Sequence, residues 1–159
     1  MTKKPRKLGF VRRRRIQDMN KSILPRGYRN CNPGNIRISK TIYKGEILPS
    51  QDTTFKQFRS MAYGYRAMFV LISYYHRVLN LTSVRQIISR YAPECENNTS
   101  AYISHVSEAI MRSPNTPIDI SNRDEMVLMV SAMSKIENGL PADIDDVLAG
   151  WNLYQQDRN

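Results

Sequence analysis

A chain of 159 residues and 18.4 kDa, 41% apolar and 24% charged, has the composition of one globular domain. It is long enough to bury a core without disulfide staples. Its longest apolar run, Ala67 to Ile72, is too short to span a bilayer. The basic N-terminus is not followed by the apolar stretch of a secretory signal, so we expect synthesis in the cytoplasm without a signal peptide.

The formal charge is +10, and it is unevenly spread. Residues 1–17 hold Lys3, Lys4, Arg6, Lys7 and Arg12 to Arg15 with no acid, which accounts for +8 and leaves +2 for the rest. A run of like charge with few apolar groups does not repay the entropy of ordering. Residues 1–22 are therefore expected to form a disordered basic arm before a domain at 23–159. The arm is either a solvated tail or an electrostatic tether to nucleic acid or another anionic polymer.

The domain opens on Asn32-Pro33-Gly34-Asn35, a cluster of turn residues. Strand-like runs follow at Ile36 to Ile38, Ile42 to Ile47 and Phe55 to Phe58, and predict a small antiparallel sheet. After Ser60 the apolar period becomes helical, with Tyr65, Met68, Leu71, Ile72, Tyr75 and Leu79 on one face of a helix from Met61. In this helix Tyr63, Tyr65, Phe69, Tyr74 and Tyr75 read as core rather than as a sugar platform. Ser83 and Gln86 have capping-box spacing and open a short helix through Arg90. Asn98 or Thr99 caps a third helix to about Met111, and Ser121 with Asp124 opens a fourth that ends at Gly139. A final short helix is expected from Asp143 to Ala149, stopping at Gly150. The reading is α+β and mainly helical, with about five helices beside the small sheet.

Cys31 and Cys95 have no paired spacing and read as thiols of a reducing compartment. His76 and His105 lack partners at metal-ligand spacing, so neither metal nor cofactor is expected.

Five segments carry a resemblance. Arg29-Asn30-Cys31-Asn32-Pro33-Gly34-Asn35-Ile36-Arg37 resembles the RNxNPGNIR opening of a family of phage and prophage lysozyme-like proteins, described as virion structural or lysis proteins. Residues 52–58 fit its DxxFxxF, Gly64 to Ala67 its GxRA, Tyr91 to Ile103 its (W/Y)APxxENxTxxYI, and Glu137-Asn138-Gly139 a later ExG. Cys31 stands where asparagine is usual and Tyr91 where tryptophan is usual, and Tyr43 is displaced by one residue from another usual tryptophan. The resemblance spans residues 26 to 150 and leaves the arm outside.

It implies a lysozyme-like fold in a circularly permuted order. Related enzymes place the turn after the catalytic glutamate, whereas here the turn opens the domain and Glu137 closes it. It also implies a peptidoglycan-cleaving glycosidase, a muramidase or lytic transglycosylase, acting on bacterial cell wall and either virion-associated or released to the wall.

Glycoside cleavage needs a carboxylic acid kept protonated near neutral pH, often with a second carboxylate. Glu137, at the C-terminal end of the most apolar helix, suits the first role, because apolar surroundings and the negative helix end both favour the neutral form. Its alternative reading is a solvated helix-end carboxylate. Asp52 and Glu46, near the expected hairpin, are candidates for the second role or loop residues. Asn32, Asn35 and Arg37 are candidate substrate contacts or turn-holding groups, and Glu96, Asn97 and Tyr102 join the substrate-binding candidates. Glu96 also suits a capping position before the third helix.

Two other classes compete. One is a non-enzymatic virion or wall-binding protein with the same fold. The other is a nucleic-acid binder acting through the arm. Oligomeric state is left open by the sequence.

Overall fold

The computed structural model describes residues 23–158 and contains six helices among them. These are α1 (Arg26–Arg29), α2 (Met61–Arg77), α3 (Val84–Tyr91), α4 (Thr99–Ile110), α5 (Arg123–Asn138) and α6 (Ile144–Gln156). The expected basic arm, residues 1–22, lies outside the described residues. No described helix is long and apolar enough to cross a membrane.

The protein is mainly helical, and its helix starts follow local chemistry. Ser60 caps α2 by accepting from the Tyr63 N–H. Ser83 and Gln86 form the expected capping box of α3. Asn98 caps α4, and Asn122 rather than Ser121 caps α5. A side-chain oxygen at each start satisfies an N–H that the helix itself leaves unbonded. Gly139, in the left-handed conformation at φ 69°, ends α5.

The core gathers one face of each long helix. Tyr65, Met68, Phe69 and Ile72 of α2 meet Ile87 and Ile88 of α3, Val106 of α4, Met126, Met129 and Met133 of α5, and Val147 and Trp151 of α6. Each such burial contributes about 1.5–3 kcal/mol. Helix α6 runs along α2, where Phe69 meets Trp151 edge-on at 5.2 Å and stacks on Tyr154 at 5.9 Å.

Helix α6 passes through Gly150 instead of stopping there, which corrects the expected end at Ala149. Gly150 faces α2, and a Cβ there would lie 2.6 Å from the Tyr65 Cβ and 2.9 Å from the Ala62 carbonyl. The glycine is a close helix-helix contact rather than a stop signal, and continuing the helix buries Trp151 and Tyr154.

The expected antiparallel sheet is absent from the described residues. Isolated antiparallel bridges, Arg37 with Phe55 and Glu46 with Phe58, stand where strands were expected. The reason is that side chains take backbone groups a ladder would need. Asn32 stands between the Ile36 N–H, from which its Oδ1 accepts, and the Lys56 carbonyl, to which its Nδ2 donates, and Asp52 accepts from the N–H groups of Thr54 and Phe55. Gly45, at φ 80°, turns the chain between the bridges. Such local bonds compete with ladder formation.

Candidate functional site

The opening turn is seated against α2. Gly64 has no side chain where the Cys31 carbonyl and the Pro33 ring approach, so the chain of residues 31–33 lies directly on the helix. Asn32 is buried and fully engaged: its Oδ1 accepts from the Ile36 N–H at 2.9 Å while its Nδ2 bonds two carbonyls. Asn32 therefore holds the turn and is not placed to touch substrate.

Helix α5 ends against that turn. Asn138 Nδ2 donates to the Pro33 carbonyl at 2.7 Å and to the Ser134 carbonyl at 2.9 Å. One residue earlier, the Glu137 carboxyl receives two hydrogen bonds. Asn35 Nδ2 donates to its Oε2 at 3.1 Å, and the Tyr102 hydroxyl donates to its Oε1 at 3.2 Å. Asn35 also reaches the Glu137 carbonyl at 3.3 Å. Residues 102 positions apart in sequence thus become one constellation.

Burial pushes the Glu137 carboxyl up from its ordinary range, while the Asn35 and Tyr102 hydrogen bonds pull the other way and do not cancel it. Burial raises Tyr102 well above the usual phenol range, with Tyr91 and Glu137 adding to the shift. Tyr91, also raised by burial, donates to the Gly34 carbonyl. Both phenols keep their protons and act as donors. The Glu137 carboxyl is thus shifted toward its neutral form, with an amide and a phenol as its partners and no cation paired to it among the described residues.

Glu137 opens on a cleft of about 550 Å³. Asn35, Arg37, Glu96 and Asn97 line it, as four of the sequence candidates, and Tyr102 supports it from behind the carboxyl. Glu96 is not the cap of α4; half-exposed at the rim, it pairs with Arg37 at 3.1 Å. Asn97 Nδ2 turns back to the Pro93 carbonyl at 3.4 Å.

Asp52 and Glu46 do not line the cleft, which corrects their candidacy as second carboxylate. Arg26 grips Asp52 through two bonds of 2.6 and 2.7 Å, and Asn30 adds a third donor at 3.0 Å. The guanidinium holds the Asp52 carboxyl far below the usual carboxylate range, so near neutral pH it is an anion that orders its own loop. Glu46 is buried against the buried Lys56 ammonium at 2.9 Å and accepts from the Tyr43 N–H. Lys56 also donates to the Thr41 carbonyl at 2.7 Å, so this pair fixes the loop forming one cleft wall.

Some site residues were not foreseen. Tyr74 and Tyr75 line the cleft: Tyr74 is exposed instead of joining the core, while Tyr75 is partly buried and packs against the core as expected. Tyr65 and Phe69 are buried as expected. Arg90, in the last turn of α3, also lines the cleft, and its charge favours the ionised form of the Tyr75 phenol against the effect of burial. A helical period alone does not separate a core tyrosine from one at the edge of a groove. Asn138 was visible only as the middle of Glu-Asn-Gly. No group of His, Cys, Asp and Glu suited to a metal occurs among the described residues, and no disulfide joins Cys31 to Cys95.

No protein-family model matches the sequence. Protein P5 of Pseudoalteromonas phage PM2 is 33% identical over 135 residues, which cover 81% of this chain and 82% of that protein. At that identity and coverage, the chain belongs to the family of phage PM2 Protein P5.

Proposed function

We propose that this chain cleaves the glycan of bacterial peptidoglycan, with Glu137 as the general acid. The observation that supports it is a desolvated carboxyl at the edge of an open cleft, aimed by two neutral donors from Asn35 and Tyr102. A carboxylic acid so held protonates a glycosidic oxygen near neutral pH. The resemblance of the opening turn and of Glu137-Asn138-Gly139 to lysozyme-like proteins agrees, with the permuted order explaining how turn and glutamate come from opposite ends of the domain.

Within this reading the absence of Asp52 and Glu46 from the cleft favours a lytic transglycosylase. Glu137 gives its proton to the leaving oxygen as the glycosidic bond breaks. The sugar's own hydroxyl then bonds to the anomeric carbon, and Glu137 takes the hydroxyl proton. The acid is regenerated and no water is consumed. Tyr74 and Tyr75 offer aromatic faces to the sugars.

A second reading is that the protein is a phage virion component that binds wall glycan without cutting it, favoured by its phage relative. Purified peptidoglycan tests both. Wild type is expected to release anhydro-muramyl ends, and Glu137→Gln to release none, while Glu96→Gln retains cleavage. Retention of glycan binding without any cleavage by wild type would establish the second reading. DNA binding that depends on residues 1–17 and falls with salt would assign the basic arm separately.

A further inference from the structure

We propose that Arg90, with Arg37, forms an anion-reading subsite that takes a carboxylate carried by the muramyl residue of the glycan; this rests on the peptidoglycan reading above. Both guanidiniums line the cleft that holds Glu137. They come from different elements, Arg37 from the segment after the opening turn and Arg90 from the last turn of α3. Arg37 is oriented by Glu96 at 3.1 Å and lies 5.7 Å from the centre of the Phe55 ring. Arg90 is exposed, it acts electrostatically on the Tyr75 phenol, and no carboxylate pairs with it among the described residues.

A guanidinium has five N–H donors in a planar fork. With no carboxylate paired to it among the described residues, the Arg90 fork is available to a carboxylate bound in the cleft that it lines. The charge of the lining agrees. Glu96 offsets one of the two arginines, and Glu137 is held toward its neutral form, so the cleft keeps cationic character.

Wall glycan alternates a neutral sugar with a muramyl residue bearing a lactyl group. Where the lactyl carboxylate is free, it is itself the anion; where a stem peptide is attached, the stem's carboxylates are. A neutral chitin-like glycan has neither. The cleft is therefore expected to prefer wall glycan to neutral polymers of similar shape.

The test compares four substrates: peptidoglycan with its stems, glycan stripped of stems by an amidase, and each of these with its carboxylates converted to amides. For wild type, amidation of the form carrying the recognised anion should lower kcat/KM about tenfold, the effect of one charge-assisted bond. A response in stripped glycan identifies the lactyl carboxylate; a response only in intact wall identifies the stem. Arg90→Gln should show the same loss on the acid forms and no further loss on amidation, with Arg90→Lys intermediate. Thermal melting of each variant confirms folding, as an exposed arginine allows.

Equal sensitivity of wild type and Arg90→Gln to amidation, or indifference of wild type in both forms, overturns the subsite. If wild type cuts nothing, the catalytic reading fails by itself. The comparison is then made by calorimetry with soluble muramyl oligosaccharides in acid and amide form. Tighter binding of the acid, abolished by Arg90→Gln, sustains the subsite, and equal or undetectable binding of the two overturns it.

Discussion

Glu137 and Asp52 are anchored to the same stretch of chain, one through Asn35 and the other through Asn30 and Arg26, yet their carboxyls are shifted in opposite directions. Asp52 has a guanidinium on both oxygens and three further donors, and is held as an anion. Glu137 has an amide and a phenol, no cation, and a desolvated setting that favours its proton. The contrast shows what turns a carboxyl into an acid: not closeness to a turn, but burial without a compensating positive charge. Glu46 gives a third case, its side chain buried but matched by Lys56. One of the three carboxyls faces the cleft, and it is the one without a cation.

The largest expected effect separates Glu137 from Asp52 by activity. Glu137→Gln should lower glycan cleavage by about 10²–10⁴-fold, the usual contribution of a general acid, while Asp52→Asn retains cleavage per folded molecule. The stability of Glu137→Gln should move the other way. A carboxyl whose folded pKa is raised destabilises the fold as pH rises through its unfolded value of about 4.3 toward its folded value. The variant should therefore melt at or above wild type near pH 7, with the gap closing near pH 4. Reducing- or anhydro-end release and melting curves across pH measure both effects. A cleaving Glu137→Gln protein would erase the distinction between the two carboxyls.

The buried pair should respond in stability. Lys56→Met strands the Glu46 carboxylate and should cost about 3–5 kcal/mol in urea unfolding. Adding Glu46→Leu should recover much of that loss, because removing both charges also removes their desolvation cost. Equal instability of the single and double variants would show that the Lys56 bonds to Thr41 and Ser39, rather than the ion pair, hold this loop.

Asp52 should govern the acid side of the stability curve. Its folded pKa is depressed, so its contribution is present above the unfolded value of about 3.9 and is lost as pH falls below that value toward its folded pKa. Wild type should weaken progressively in this range, and Asp52→Asn should flatten the dependence. A pH dependence unchanged in Asp52→Asn would place the acid sensitivity at another carboxylate.

The smallest effect belongs to Tyr102. Its hydroxyl favours the ionised form of Glu137, so Tyr102→Phe should raise the Glu137 pKa. The alkaline limb of kcat/KM against pH should shift upward, with only a modest change at the optimum. A large rate loss with an unmoved limb would make Tyr102 a substrate contact instead of a positioning residue.

Much of this arrangement is written locally. The capping box at Ser83 and Gln86, the stop at Gly139 and the apolar periods of α2 and α5 mark helices because caps and periodicity act within a turn or two of chain. The placement of Glu137 at a helix end was readable for the same reason, from the helical period and the glycine after it, whereas its place beside the opening turn was only implied by the resemblance. The sheet and the end of α6 were misread because their outcome depends on distant partners. Asn32 and Asp52 take the bonds a ladder needs, and Gly150 is helical because α2 lies against it.

By itself, then, the sequence determined a mainly helical domain, a rigid turn at its start and a glutamate at the end of a helix closed by Gly139. Only the tertiary structure decided the setting of each carboxyl. Desolvation and charge pairing depend on groups brought together across the chain: Asn35 and Tyr102 on Glu137, Arg26 on Asp52, Lys56 on Glu46. It also turned Tyr75 and Arg90 toward the cleft, since which side of a helix faces a groove is set by what packs against the other.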